Sequence, residues 1–281
     1  MERFYAGRRV ALLTQHGKEL VIAPALNAAL GCVVERVGGL DTDQFGSFTR
    51  EIPRAGSQLD AARGKARAGM RLSGLPLGLA SEGSFGPDPF TGMLPWNLEL
   101  LLFIDELRGI EIAGSAQRPA RSASLSTGSW TEARKFASGA GFPGHRLVLR
   151  PRDEHDTRVR KGLGDWAGLK DAFDGALAEA DNGLVFLEND LRAHMHPSRR
   201  VTIRLAARDL ARRIRSLCPA CGLPGFWLVE RLPGLPCAAC GAPTREPRAE
   251  VYGCVKCPQR ETRRLAGRRA AGPARCDYCN P

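Results

Sequence analysis

The sequence predicts an α/β body, a mixed sheet with flanking helices, followed by a small cysteine-rich module at the C-terminal end. Three observations favour this fold class. A strand, a helix and a second strand follow one another within the first 37 of 281 residues, which is the order of a βαβ unit. Eight of the nine cysteines lie in the last 64 residues. The net charge of +11 belongs to the same end, because residues 1–198 carry equal numbers of acidic and basic groups.

The apolar pattern predicts the first elements of the body. The runs "RRVALLT" and "GCVVERV" predict strands, and "KELVIAPALNAAL" between them predicts a helix that Pro24 kinks or interrupts. Residues 38–54 are rich in glycine, acids and arginine and predict a loop. A capping box of Ser57 and Asp60 then begins a helix that ends at Gly74. One face of this helix carries Leu59, Ala62, Ala66 and Met70.

A polar turn follows each of two predicted strands. Thr14 ends the first strand, and Gly17 and Lys18 lead into the helix. Further along, "LPLGLA" predicts a short strand and "SEGSFGPDP" predicts the polar turn at its carboxyl end, where ligands gather in α/β sheets. Lysine is scarce, with 6 lysines against 35 arginines. In so arginine-rich a sequence, each lysine is a candidate for a position that requires a compact ammonium charge. A lysine at the start of a helix also favours phosphate binding.

The order of these motifs resembles the inosine triphosphate pyrophosphatase family. In that family a Thr–polar–Gly-Lys turn opens the first helix, and a helix with a lysine precedes a Gly-Leu-Pro strand that ends in two aspartates. Here the matching residues are Thr14, Lys18, Lys65 and Gly74-Leu75-Pro76, with Ser81 and Glu82 in place of the aspartates. The resemblance covers residues 10–90.

This resemblance implies contacts to a nucleotide triphosphate by Lys18 and Lys65, with Thr14 and Ser81 beside them. It implies that Glu82 binds Mg²⁺ or orients water, and that the enzyme cleaves a phosphoanhydride. One carboxylate of the family's pair is missing, and further candidates are Asp41, Asp43 and Glu51. The alternative is an unrelated α/β domain with glycine turns.

The cysteines carry the most specific pattern in the chain. They form four CxxC pairs, "CPAC", "CAAC", "CVKC" and "CDYC", which comprise Cys218, Cys221, Cys237, Cys240, Cys254, Cys257, Cys276 and Cys279. Two such pairs complete a tetrahedral site, so four pairs predict two structural zinc ions in a zinc-ribbon-type module. A disulfide scaffold is the alternative, and the absence of a signal peptide at the N-terminus argues against it. Cys32 stands alone and predicts a buried core thiol.

Each CxxC pair forms one knuckle, and the spacing leaves open which two knuckles share a metal ion. Consecutive pairing, joining of the middle two pairs, and interleaving are all compatible with known ribbons. The segment around Cys254 and Cys257 reads as a strand, a knuckle and a returning strand, which places this pair at a hairpin tip. Sites with four cysteine ligands have no open position for catalysis. The module is therefore expected to bind a partner or to stabilise the fold.

A second polar cluster and an arginine stripe precede the module. Two carboxylates and two imidazoles fall within nine residues and predict either a divalent-metal site or a set of salt bridges; they are Glu188, Asp190, His194 and His196. A helix follows Pro197, with an apolar stripe that includes Ile203, Ala206, Ala207, Leu210, Ile214 and Leu217. On it, Arg200, Arg204, Arg208 and Arg212 repeat every four residues and are candidates for contacts to nucleic acid phosphates.

The sequence therefore predicts a body over 1–198, a basic connecting helix over 199–217 and a two-zinc module over 218–281. Three functions remain open: a magnesium-dependent nucleotide hydrolase, a nucleic-acid-binding zinc-ribbon protein, and a zinc-stabilised scaffold that binds protein. No run is long enough to span a membrane, so we expect a cytoplasmic protein. The whole chain also resembles an uncharacterised bacterial family, through "TQHGKE", "ASEGSFGP", "GLPCAACGAPT" and "CDYCNP".

Overall fold

The computed structural model describes residues 4–41 and 56–281, which form two compact units, Met1–Ala211 and Arg212–Pro281. The division falls inside the predicted connecting helix. The helices are α1 (Glu19–Leu30), α2 (Gln58–Ser73), α3 (Trp130–Gly139), α4 (Trp166–Glu179) and α5 (Pro197–Arg215). Every described helix is too short or too polar to cross a membrane.

The strands form three sheets. The first five strands are β1 (Arg9–Leu13), β2 (Val33–Val37), β3 (Leu77–Pro87), β4 (Pro95–Asp105) and β5 (Ile110–Pro119). The next four are β6 (Ser124–Thr127), β7 (Leu147–Pro151), β8 (Arg160–Leu163) and β9 (Val185–Asn189). The last three, in the second unit, are β10 (Trp227–Pro233), β11 (Pro247–Gly253) and β12 (Arg260–Arg264).

The first sheet is mixed and confirms the predicted fold class. Its strand order is β2-β1-β3-β4-β5, with β1 parallel to both neighbours and β3, β4 and β5 antiparallel to one another. The predicted βαβ unit is β1-α1-β2, and α1 continues through Pro24 without interruption. The second sheet has the order β6-β9-β7-β8 and packs against α3 and α4 around Phe173 and Leu187.

Two helices cover the two faces of the first sheet. The predicted apolar face of α2 packs on one side, where Ala62, Ala66 and Met70 contact Ala80, Leu102 and Ile104. The capping box at Ser57 and the left-handed cap at Gly74 begin and end this helix as predicted. On the opposite side α5 lies close to β5, because a Cβ at Gly114 would come within 3.0 Å of the Leu210 backbone. The predicted stripe of α5 is buried except at Leu217, which follows the helix and is exposed.

The polar turn predicted over "SEGSFGPDP" is wrong for most of its length. Residues 81–87 continue β3, and each pairs with a residue of β4, from Ser81 opposite Leu101 to Pro87 opposite Pro95. The polar side chains at the start of this stretch are tolerated inside the sheet because charged groups of other elements surround them. Of the predicted loop at 38–54, residues 42–54 lie outside the described part of the chain.

Candidate functional site

A lysine ammonium lies where β1 ends and β3 continues beyond it, paired with β4. Gly17 turns the chain with a φ of 65°, a left-handed conformation that costs glycine little. Lys18 then begins α1, and its Nζ donates a hydrogen bond of 2.5 Å to the backbone carbonyl of Ser81. Thr14, at the same end of β1, is buried. The structure therefore brings three of the predicted site residues, Thr14, Lys18 and Ser81, to one end of the parallel strands.

The environment of Lys18 disfavours its charge. Desolvation by burial lowers its pKa to about 8, and repulsion from Arg199 and Lys65 acts in the same direction. Attraction to Glu82 and Glu99 offsets part of this effect. All four groups thus lie close enough to influence one ammonium, which places them around the same point of the sheet.

On the α2 side of the sheet, Lys65 pairs with Glu82. The two side chains are almost completely buried, and Lys65 Nζ lies 2.5 Å from Glu82 Oε1. The pair joins the middle of α2 to β3, next to the position where Gln58 Nε2 donates a hydrogen bond of 2.8 Å to the Glu82 carbonyl. Both predicted residues are therefore in the site, and they neutralise one another there.

On the α5 side, a second buried ion pair joins Glu99 and Arg199. Arg199 Nε donates a hydrogen bond of 2.6 Å to Glu99 Oε1, and its Nη1 donates one of 2.6 Å to the Leu191 carbonyl. Asn97 Nδ2 also donates to Glu99 Oε1, at 3.0 Å. Glu99 and Asn97 are not among the site residues predicted from the sequence. Their signal is a pair of polar residues at alternate positions in the otherwise apolar strand "WNLELLLF".

Gly83 makes room for this second pair. It lies directly opposite Glu99 in the β3–β4 register. A Cβ at this position would come within 3.0 Å of both Arg199 Nη2 and Glu99 Oε1, a separation that Cβ atoms essentially never show. The absence of a side chain on β3 therefore lets the Glu99 carboxylate and the Arg199 guanidinium lie over this strand.

We call these residues the polar site; they are Lys18, Lys65, Ser81, Glu82, Gly83, Asn97, Glu99 and Arg199. All are in the first unit, and they hold three cations and two carboxylates in the described part of the chain. Of the further carboxylates considered from the sequence, Asp41 is exposed. Asp43 and Glu51 lie outside the described residues.

The structure does not arrange the predicted second cluster as a metal site. In the described residues, its ligand atoms belong to no group of three or more within 4.8 Å. Glu188 pairs with Arg150 at 2.7 Å, and Asp190 pairs with Arg192 at 2.5 Å. His196 Nε2 donates to the backbone carbonyl of Arg121 at 2.8 Å. The arginines of the fold, rather than a shared metal, therefore partner these groups.

His194, the remaining member of that cluster, packs against the β1–α1 turn. Its ring stacks on His16 with a centroid separation of 4.9 Å and an angle of 10° between the planes. His16 is two residues from Lys18. The segment between β9 and α5 consequently lies beside the polar site, and it contributes both this imidazole and the carbonyl that holds Arg199.

The arginine stripe is only partly available for contacts. Arg200 is half-buried, whereas Arg204 and Arg208 are exposed in the first unit. The latter two line a groove of about 510 Å³ together with apolar residues of α1 such as Val21 and Ala25. Arg212 is exposed and belongs to the second unit.

The eight knuckle cysteines form two groups, and the pairing is interleaved. The first cysteine site consists of Cys218, Cys221, Cys254 and Cys257, and the second of Cys237, Cys240, Cys276 and Cys279. Measured Sγ–Sγ separations are 3.6 and 3.7 Å in the first site and 3.9 and 3.6 Å in the second. Four thiolates around a tetrahedral zinc with Zn–S bonds of ~2.3 Å would be about 3.8 Å apart. Each site could therefore hold one metal ion.

The antiparallel sheet of the second unit explains the interleaving. The first knuckle precedes β10 and the third joins β11 to β12, so both lie at one end of the strands. The second knuckle joins β10 to β11 and the fourth follows β12, at the other end. The predicted hairpin tip at 254–257 is confirmed. Cys32, in contrast, is buried in the first unit, and its burial raises the pKa of its thiol to about 11.

The first two knuckles are local repeats of one turn. Gly222 N donates to the Cys218 carbonyl at 2.9 Å, and Gly241 N donates to the Cys237 carbonyl at 3.0 Å. Both glycines have a positive φ, near 75°. Backbone N–H groups of Cys240 and Ala239 lower the pKa of Cys237 to about 7, which favours the thiolate that a metal requires.

A family model described as a domain of unknown function (DUF6671) matches residues 65–281, which include all eight knuckle cysteines and most of the polar site. A search of curated proteins found no match. Neither comparison supports the resemblance to inosine triphosphate pyrophosphatases.

Proposed function

The chain belongs to this domain family of unknown function, DUF6671, and we propose that its polar site binds the phosphate groups of a nucleotide and hydrolyses a phosphoanhydride with Mg²⁺. The proposal depends on Lys18. Within residues 4–41 and 56–281, no carboxylate oxygen lies within 4.0 Å of its ammonium, and the carbonyl of Ser81 accepts its one hydrogen bond. A buried charge without an ionic partner is costly, and an anionic ligand would supply that partner.

The surrounding groups suit a phosphate chain. Three cations against two carboxylates leave the described site with a net positive charge. Lys18 is also the N-cap of α1, and the positive end of the dipole of this helix favours an anion beside it. Hydrolysis would need an attacking water, whose oxygen bonds to phosphorus while the bridging P–O bond breaks. A carboxylate of the site would orient this water and hold the cation.

The test is ligand-induced stabilisation of the full chain. We expect canonical and deaminated nucleoside triphosphates with Mg²⁺ to raise the melting temperature of the wild type. Lys18→Met should lose this increment, and Lys161→Met, which changes an exposed lysine of the same unit, should keep it. Release of phosphate or pyrophosphate from the same panel measures turnover.

The two readouts separate binding from catalysis. Stabilisation without turnover would leave a nucleotide-binding protein and reject the hydrolase. If no nucleotide stabilises the wild type more than it stabilises Lys18→Met, phosphate binding at the polar site is wrong.

We further propose that both cysteine sites hold zinc and that this zinc is structural. Four sulfur ligands in tetrahedral spacing suit Zn²⁺ and leave no open coordination position. The second unit has 70 residues and few large apolar side chains, so metal would supply much of its folding free energy. Elemental analysis of the purified chain should give two zinc ions per protein, and a different metal or a lower content would contradict this assignment.

A second candidate function, nucleic acid binding by the zinc module, has support from β12. All five of its residues are exposed, and Arg260, Arg263 and Arg264 lie on this edge strand. The guanidinium of Arg263 stacks over the Tyr252 ring at 4.2 Å. Among the aromatic side chains of this unit that could stack on a base, Phe226 is buried, whereas Tyr278 is 85% exposed.

This second candidate predicts binding of a single-stranded oligonucleotide that weakens with salt. Replacement of the three β12 arginines by alanine should make the slope of log K against log salt concentration less steep by about two to three. Arg268→Ala is the matched control, because Arg268 is an exposed arginine of the same unit that lies outside β12 and, like Arg263 with Glu261, has an acidic partner, Glu246. An unchanged salt dependence in the triple variant would exclude β12 as the contact surface.

A further inference from the structure

Helix α1 is apolar on all sides, although only one side of it is buried. Of its 12 residues, Glu19 is charged and Asn27 is polar, and the rest are apolar. Ile22 and Leu26 are buried on the inner side, whereas Leu20 on the outer side is 65% exposed. A helix that is apolar all round is normally covered on both sides. Within the described residues, the outer side of α1 therefore has the composition of an interface without the surface that would cover it.

This outer side forms one wall of a groove whose other wall is α5. The α1 wall consists of two rows of residues, each with a spacing of four positions: Leu20, Pro24 and Ala28, and Val21, Ala25 and Ala29. The α5 wall carries Arg204 and Arg208, and the groove has a volume of about 510 Å³. Because each row rises about 12 Å along the helix, the groove is elongated. We call it the α1–α5 groove; all of it belongs to the first unit.

The two arginines give the groove a positive charge that the described part of the chain does not neutralise. No acidic oxygen there lies within 4.0 Å of the guanidinium of Arg204 or Arg208. In contrast, the exposed Arg67 and Arg158 of the same unit have carboxylate partners at 3.4 and 2.6 Å. Like charges four positions apart on a helix repel one another. Anionic groups placed beside Arg204 and Arg208 would relieve this repulsion.

The two walls together define the chemistry of the occupant. It must cover apolar surface along α1 and present acidic groups, one helical turn apart, to α5. An amphipathic helix does both, because its side chains at positions i and i+4 lie on one face. Such helices bind in apolar grooves through anchors with this spacing. We infer that the α1–α5 groove binds an acidic amphipathic helix of a partner protein.

Other occupants fit the α1–α5 groove less well. Its α1 wall offers no hydrogen-bonding side chain, whereas interfaces with nucleic acids are largely polar. A helix that binds a membrane surface buries its apolar face in a flat interface, whereas this face lies in a groove beside α5. A second copy bound through the same face would bring four arginines together. Docking in the α1–α5 groove does not require the proposed phosphate binding, so each can be tested alone.

A labelled peptide and a matched control peptide test this inference with the full chain. The acidic peptide has about 15 residues, with leucine along one helical face and glutamate at positions four apart beside that face. The control peptide has glutamine in place of every glutamate. Dissociation constants are measured by fluorescence anisotropy. The acidic peptide should bind about tenfold more tightly, because two ion pairs at the edge of an apolar surface contribute about this much.

A double arginine variant locates the charge contribution. Arg204→Ala combined with Arg208→Ala should reduce the difference between the two peptides to about twofold or less. The matched control combines Arg71→Ala with Arg134→Ala, which removes two exposed arginines from α2 and α3, and it should keep the difference. All four arginines except Arg200's neighbours on the buried stripe are exposed side chains, so melting temperatures should stay close to that of the wild type.

A second variant tests the apolar wall. Ala28→Glu places a charged side chain on this wall and should weaken binding of both peptides by about tenfold or more. Ala178→Glu, which changes an exposed alanine of α4 in the same unit, should leave both affinities unchanged. Because Ala28 is exposed, its replacement should be compatible with the fold, and the melting temperature checks this.

Three results would overturn docking in the α1–α5 groove. One is that the acidic peptide does not bind the wild type, or binds no more tightly than the glutamine peptide. Another is that the variant of Arg204 and Arg208 keeps the difference between the peptides, because the acidic peptide then binds elsewhere on this basic chain. The third is that the acidic peptide does not bind while a single-stranded oligonucleotide binds through these two arginines, which would make the α5 wall a nucleic acid contact.

Discussion

Replacement of Lys18 by methionine should stabilise the protein while it removes phosphate binding. Burial lowers the pKa of this lysine from an ordinary value of 10.5 to about 8. Each pH unit between these values corresponds to about 1.4 kcal/mol, so the charged ammonium destabilises the folded state by roughly 3 kcal/mol below pH 8. Methionine removes this penalty but leaves the Ser81 carbonyl without its donor, which costs about 1 kcal/mol. The net expected gain at pH 7 is about 2 kcal/mol.

The sign of the effect depends on pH and on which lysine is changed. Between pH 8 and 10.5 the folded protein releases the proton of Lys18 more readily than the unfolded chain. The advantage of the methionine variant should therefore nearly vanish at pH 10. Lys65→Met should act in the opposite direction and lower the free energy of unfolding by about 3 kcal/mol, because Glu82 would lose its buried ionic partner.

Urea unfolding of the full chain at pH 7 and pH 10 measures both effects. Tryptophan fluorescence reports mainly on the first unit, which contains Trp96, Trp130 and Trp166 of the four tryptophans. The exposed Lys161→Met should stay within about 0.5 kcal/mol of the wild type. If Lys18→Met unfolds at lower urea than the wild type at pH 7, the Lys18 charge is compensated in the ligand-free protein, and the argument for an anionic ligand fails.

Three further predictions concern other parts of the molecule. Gly83→Ala should lower the free energy of unfolding by about 2–3 kcal/mol, because its methyl group would displace the pair of Glu99 and Arg199; unchanged urea unfolding would contradict the close packing. Burial lowers the pKa of His196 to about 4, so stability should fall by up to about 3 kcal/mol between pH 6.5 and 4 as the unfolded chain takes up the proton, and His196→Gln should lose this dependence in acid titration. Double replacement of Cys218 and Cys254 by serine should remove one metal ion per chain by elemental analysis, whereas replacement of Cys218 and Cys237 should remove both; the reverse result would refute the interleaved pairing.

Much of the polar site could be predicted because local patterns mark it. A strand that ends in a Gly-Lys turn, a scarce lysine on an amphipathic helix, and a serine and a glutamate after an apolar strand each carry a signal within a few residues. The structure brings Lys18, Lys65, Ser81 and Glu82 together because the parallel strands β1 and β3 are neighbours. The predicted turn after Ala80 was wrong because polar residues normally end a strand, and here buried countercharges keep them within it.

The other half of the site depends on contacts that no local pattern contains. Arg199 and Glu99 are 100 residues apart, and no pattern within a few residues of either one indicates that they pair. The cysteine pairing is a similar case. Both the consecutive and the interleaved arrangements fit the knuckle spacing, and the antiparallel order of β10, β11 and β12 selects between them.

The interleaved cysteine sites also link the filling of one to the filling of the other. The loop that the first metal closes, from Cys218 to Cys257, overlaps the loop from Cys237 to Cys279 that the second metal closes. Consecutive pairing would give two separate loops and independent sites. In the overlapping arrangement, the first ion already aligns the strands that bring the other knuckles together, so the second ion binds at a lower entropic cost. Metal uptake should therefore be cooperative, and chains that carry a single ion should be scarce when metal is limiting.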